Sequence, residues 1–169
     1  TTDFGYLDPY VGLVKAVILR INPLATVIDI TNDVQPLNIL QASFLLGNSH
    51  KFFPTGTIHM VVVDPGVGSS RRSVILETPK GCFVGPDNGV LSYVLIEGGV
   101  KLGEEPVDKV ELPQGWHRYH LNNPDYWLHP LSSTFHGRDI FAPTVAHLSL
   151  GVYPSQMGQE VSSLSCLHI

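Results

Sequence analysis

The chain has 169 residues, 43% hydrophobic and 15% charged, which suits one domain with its own core and excludes a disordered segment. A formal net charge of −5 offers no basic footprint for nucleic acid, and no apolar run reaches membrane-spanning length. No signal peptide is recognisable, and Cys82 and Cys166 lie far apart without metal-type spacing, so a cytoplasmic setting is expected.

Taken in order, Thr1-Thr2-Asp3-Phe4-Gly5 reads as a strand end entering a tight turn, its strand expected upstream. Asp8-Pro9 is a helix start, with Asp as N-cap and Pro where its missing N–H costs nothing. Val11, Val14, Val17, Ile18 and Ile21 give that helix a core face, and Asn22-Pro23 stops it. A short strand is expected at 26–30 and a helix at 37–46, ended by Gly47. The run 57–63 is apolar and rich in β-branched residues, as a strand buried on both faces requires. It ends at Asp64, followed by the turn Pro65-Gly66-Val67-Gly68 and the pair Arg71-Arg72.

Strands at 73–77 and 82–85 flank a Pro79-Lys80-Gly81 turn, and a helix is expected from Pro86-Asp87-Asn88-Gly89 through Ile96, with Val90, Leu91, Val94 and Leu95 inward. The stretch 98–115 is a charged, loop-rich excursion with one strand near 107–112, and 117–121 is a further strand. Residues 122–127 suggest a turn and short helix, and 141–150 a helix closed by Gly151, with Pro143 in its first turn. The tail 159–169 carries no assignable pattern. This alternation predicts an α/β domain, a three-layer sandwich around a largely parallel sheet.

Four polar clusters fall at element ends: Asp3, Asp64 with Arg71, Asp87-Asn88, and His136-Gly137-Arg138-Asp139. Each has a plain reading. Asp3 could be a turn former, Arg71 or Arg72 a solvated charge, Asp87-Asn88-Gly89 an N-cap, His136 a satisfied polar residue, and Arg138-Asp139 a pair or cap. Jointly they fit better at the loop edge of a doubly wound sheet, where ligands bind. Asp, Arg and His are side chains suited to holding and deprotonating a water. No zinc-type histidine pair, Walker A loop, Gly-x-Gly-x-x-Gly element or Gly-x-Ser-x-Gly elbow is present.

Thr2-Asp3-Phe4-Gly5, Val63 to Gly68, Pro86-Asp87-Asn88-Gly89 and Ser133-Thr134-Phe135-His136-Gly137-Arg138-Asp139 resemble, in order, the signature blocks of the S-adenosylmethionine hydroxide adenosyltransferases. That family is related to the fluorinase and chlorinase. The resemblance covers 1–158 and implies cleavage of S-adenosyl-L-methionine by water at ribose C5′, giving adenosine and L-methionine. It implies a catalytic group of Asp64, Arg71 and His136, a ribose contact by Asp3, and further substrate contacts by Thr134, Phe135, Gly137 and Asn88. No cofactor or metal is implied. The resemblance also implies a homotrimer in which a neighbouring subunit's C-terminal β-barrel domain, absent from this chain, completes the site. Asn32 stands where the family usually has His, and a modest effect is expected.

A sulfonium leaving group is already activated, so the protein must supply a positioned, desolvated water and a base. Related halogenases resemble this chain but carry Tyr in place of Asp64 and a small hydroxyl residue in place of Arg71. A carboxylate repels halide, so water is the expected nucleophile. The alternatives are a truncated or split binding module without turnover, a halogenase, and, most distantly, a metal-dependent hydrolase.

Overall fold

Alternate residues along the central strands face opposite cores. Val61, Val63, Val74, Leu76 and Phe83 pack in one buried cluster, and Val62, Ile75 and Val84 in another. A strand has a two-residue side-chain period, so a continuous apolar run serves both faces at once. The computed structural model describes residues 1–104 and 107–169; positions 105 and 106 of the expected 98–115 excursion lie outside the described residues.

The helices are α1 (Tyr10–Ile21), α2 (Ile39–Ser49), α3 (Ser92–Glu97), α4 (Ala142–Ser149) and α5 (Pro154–Met157). The strands are β1 (Thr57–Met60), β2 (Ser73–Thr78), β3 (Gly81–Pro86), β4 (Val107–Asp108), β5 (His117–His120), β6 (Gln159–Glu160) and β7 (Leu164–Ser165). Ala42 and Leu46 of α2 and Val94 and Leu95 of α3 cover one face of the sheet. Val14 and Ile18 of α1 and Ala142, Val145, Ala146 and Leu148 of α4 cover the other. The expected three-layer α/β sandwich is therefore the observed one.

The main sheet has the order β1-β3-β2-β5-β6. It is mixed rather than largely parallel. Among the described residues only β1 and β3 pair in parallel, joined by a parallel bridge between Thr2 and Val62. The β2–β3, β2–β5 and β5–β6 pairs are antiparallel. The cause is local: Thr78 and Gly81 face each other across Pro79-Lys80, and so short a connection can only join antiparallel strands.

Other expectations are corrected in detail. Residues 26–30 form no strand; Asp29 instead pairs with Lys15 at 2.7 Å, and Val27 and Ile28 are exposed. Asp8 does not cap α1, whose N-cap is Pro9 with no side-chain bond. Gly47 does not end α2 but lies inside it, where a Cβ would stand 2.6 Å from the Tyr93 Cβ, so its role is close helix packing. The segment after β3 turns through Asp87 to Leu91 before α3 begins at Ser92. The 107–112 strand is only β4. The tail is structured: β6 extends the main sheet, β7 pairs with β4, and Leu164 and Cys166 enter the core.

His59 on β1 is buried, stacked on Phe83 with centroids 5.0 Å apart, and edged by Phe53 and His50. Burial, then the neighbouring His50, pushes its imidazole down to about 4. The unfolded chain therefore binds a proton between pH 6.5 and 4 that the folded chain refuses. Stability should be full above about pH 6.5 and fall by on the order of 3 kcal/mol as the pH drops to 4. Urea midpoints at pH 7 and 5 check this: His59→Phe should lose much less than the parent on acidification.

Candidate active site

Three adjacent segments running in the same direction end together. Thr2 leads into Asp3, the β1 run into Asp64, and β3 into Asp87-Asn88. Carboxyl ends of neighbouring parallel strands are where open α/β sheets bind ligands. Phe4 meets Phe135 with ring centroids 5.8 Å apart, and a Cβ on Gly137 would stand 3.0 Å from the Phe4 ring, so the 134–137 block closes over the same edge.

Arg71 is the hub. Its Nε donates to Asp64 Oδ1 at 2.8 Å and Oδ2 at 3.0 Å, and its Nη2 to Asp64 Oδ2. Nη1 donates to Ser73 Oγ at 2.8 Å and to the Arg72 carbonyl at 3.3 Å. Nη2 also lies 3.1 Å from His136 Nδ1. Every N–H of the guanidinium thus has a protein acceptor, and its Cζ lies 5.4 Å from the Phe141 ring centre. The Arg71 and Asp64 side chains are only 10% and 5% exposed.

Two chemical consequences follow. Arginine only donates, so His136 Nδ1 must accept, and the ring is neutral with its proton on Nε2. Burial lowers the His136 pKa, Arg71 lowers it further, and Asp64, Asp139 and the Ser132 backbone oppose them. Asp64 Oδ2 receives two bonds from Arg71, but Oδ1 receives only one and keeps a lone pair for another donor. The array therefore presents a carboxylate oxygen able to accept a proton, beside a fixed neutral imidazole.

Asp3 Oδ2 accepts from the Leu37 amide at 2.8 Å, a residue held at φ 63°. Asn32 supports that turn: its Oδ1 accepts from Thr2 Oγ1 at 2.9 Å, its Nδ2 donates to the Tyr6 hydroxyl, and its carbonyl accepts from Gly5 N. Thr134 is exposed, and Phe135 packs edge-on against Phe4 and Tyr10. Asn88 is occupied locally, donating to the Val63 carbonyl at 2.9 Å and accepting from Val90 N, so it braces the residue preceding Asp64.

Arg72 and Asp87, 15 positions apart, form an ion pair that no motif or spacing signals. Arg72 Nε donates to Asp87 Oδ2 at 2.8 Å, Arg72 Nη2 to the Ser163 carbonyl, and Ser165 N to Asp87 Oδ1 at 2.6 Å. Asp87 thereby anchors the tail. A cavity of about 560 Å³ between α1, the 25–30 segment and β1 is lined mainly by apolar side chains and includes none of Asp64, Arg71 and His136. The chemistry sits instead at the strand ends.

The loops that carry the array touch at Gly68. It holds φ 76°, and a Cβ there would lie 2.3 Å from the Ser133 carbonyl oxygen. Gly68→Ala should separate the Asp64–Arg71 loop from the His136 loop. We expect stability to fall by on the order of 1–3 kcal/mol and turnover by about tenfold or more, measured by thermal melts and initial rates.

The family described as SAM hydroxide adenosyltransferase N-terminal domain matches residues 1–158. The (R)-S-adenosyl-L-methionine hydrolase of Salinispora arenicola is 38% identical over 162 residues, covering 95% of this chain and 56% of that protein. The protein of the same name from Thermus thermophilus is 36% identical, covering 95% and 59%. A fluorinase from Nocardia brasiliensis is 23% identical. The crystal structure of an uncharacterized conserved protein from Thermotoga maritima gives a TM-score of 0.88 at 40% identity, covering 99% of this chain and 60% of that one. The chain thus spans somewhat over half the length of these relatives.

Proposed function

The chain belongs to the SAM hydroxide adenosyltransferase family, matching its N-terminal domain, and from that premise we propose that it hydrolyses S-adenosyl-L-methionine to adenosine and L-methionine. The observation that carries this reading is the part-buried Asp64–Arg71–His136 array at the shared strand ends. In the proposed step a water oxygen attacks ribose C5′ as the C5′–S bond breaks. The bonding pair goes to sulfur, which leaves as the neutral thioether of methionine, and the water proton goes to Asp64 Oδ1. Arg71 pairs with Asp64 and orients it, and His136 closes the water's other side as a neutral ring.

Asp3, with one carboxylate oxygen fixed by Leu37 N, is proposed to grip the ribose diol, with Thr134, Phe135 and Gly137 against the sugar. Asn88 is proposed to contribute through the Asp64 strand end. Water rather than halide fits the site, because the carboxylate at position 64 repels an anion. No cofactor is required, since the sulfonium is its own activated leaving group. We further propose a homotrimer in the cytoplasm, with a barrel domain of the neighbouring subunit completing the pocket. Among the described residues no helix is long and apolar enough to cross a membrane.

The names of the hydrolase relatives specify the R form at sulfur, and we propose the same preference here. The protein joined to its barrel domain should release adenosine and L-methionine in equal amounts from the R epimer, faster than from the S epimer. Absence of adenosine from both would overturn the assignment.

A further inference from the structure

Asp139 lies next to the array but does not touch Arg71 or Asp64, and its side chain is 0% exposed. Both of its carboxylate oxygens accept hydrogen bonds. Oδ2 accepts from the Ser132 amide at 2.8 Å, and Oδ1 from Arg138 Nε at 2.6 Å, with Arg138 Nη2 on Oδ2 at 3.1 Å. Its backbone carbonyl accepts from the Leu128 amide at 2.8 Å. That carbonyl is available because Pro143, four residues on, has no N–H to give it. The chain meets this by a π-type turn over Gly137–Phe141, in which Ala142 N bonds to the Gly137 carbonyl.

The segment from Leu128 to His136 is therefore tied to one residue at two points. Arg138, held by Asp139, also lies 5.1 Å from the Phe135 ring centre. The Ser132 amide held by the carboxylate lies four residues before His136 on the same loop.

We propose that Asp139 is the positioning residue of this site: its buried carboxylate fixes the 128–136 loop and so sets where Thr134, Phe135 and His136 stand relative to Arg71. The role rests on the hydrolase reading given above, but its signature does not need turnover. Asp139 also acts on His136 as a charge, favouring the protonated ring. Loss of that charge alone would lower the His136 pKa. Loss of position would remove the ring from Arg71 and from burial, and would raise it. The two effects have opposite signs.

The test titrates His136 by NMR in the folded chain and measures adenosine formation in the barrel-containing protein. In Asp139→Ala the His136 midpoint should rise toward the ordinary histidine value, and turnover should fall about tenfold to a hundredfold. Asp139→Asn, which loses the charge but keeps an acceptor for the Ser132 amide, should restore most of both. Should Asp139→Ala not fold, Ser132→Pro removes the amide from the loop side and should raise the midpoint, read against Ser132→Ala, which removes only the hydroxyl. A midpoint that stays or falls in Asp139→Ala, or an Asn variant no better than Ala, overturns the proposal. If the parent makes no adenosine, the hydrolase reading fails while the titration still decides the role of Asp139.

Discussion

Arg71→Lys is expected to lower turnover by about a hundredfold to a thousandfold while leaving the fold intact. The guanidinium reaches Asp64 through Nε and Nη2, Ser73 and the Arg72 carbonyl through Nη1, and His136 through Nη2. An ammonium group has no planar fork and cannot serve these acceptors from one point. Asp64 would keep a counter-charge, but His136 would lose the donor that fixes its tautomer. Arg71→Ala should be worse. It leaves a carboxylate that is 5% exposed with no cation, a change that costs about 3–5 kcal/mol when a buried pair is broken from one side. Rates and urea midpoints for both variants check this, and Lys turnover within a factor of about three of the parent would remove Arg71 from the mechanism.

Asp64→Asn is the second large effect. The substitution keeps size and planarity but replaces the proton-accepting carboxylate with a neutral amide. It also replaces one oxygen that accepts from Arg71 with an NH2 that can only donate. Turnover should drop by about a hundredfold to ten-thousandfold, the range a positioned general base contributes. Binding of substrate should change little, because Asp3 and the 134–137 block make the ribose contacts in the proposed complex. A loss expressed in KM with kcat preserved would instead mean that Asp64 binds and does not act on the water.

These effects depend on features that differ in how legible they were in the sequence. The 57–63 run was readable because burial on both faces leaves a continuous apolar string, and Val61, Val62 and Val63 do divide between the two cores. Asp64, Arg71 and His136 were brought together by a family resemblance, not by spacing. Their bonding pattern, with Arg71 as a saturated hub, depends on rotamers that no sequence shows. The parallel sheet was overestimated because β2 and β3 have the length and composition of buried strands in either direction. Only the shortness of the Pro79-Lys80 turn distinguishes them.

Other misreadings have tertiary causes. The 26–30 stretch has β-branched residues at strand spacing, yet strand formation needs a ladder partner, and none pairs with it among the described residues. Gly47 looked like a helix stop because its packing against Tyr93 is a contact across 46 positions of sequence. Arg72 and Asp87 each had a plain local reading, and only the returning tail at Ser163 and Ser165 shows why both are there. Pro143 was the one available signal for Asp139: a proline in a first turn frees the carbonyl four residues earlier, and here the Leu128 amide takes it.

The most direct test of the central claim runs the reaction in ¹⁸O-labelled water and follows the oxygen. If water attacks C5′ at the Asp64–Arg71–His136 array, the adenosine formed carries the label at its 5′ hydroxyl and L-methionine is released unlabelled. Adenosine without the label, or a sulfur-containing nucleoside in its place, would contradict the account.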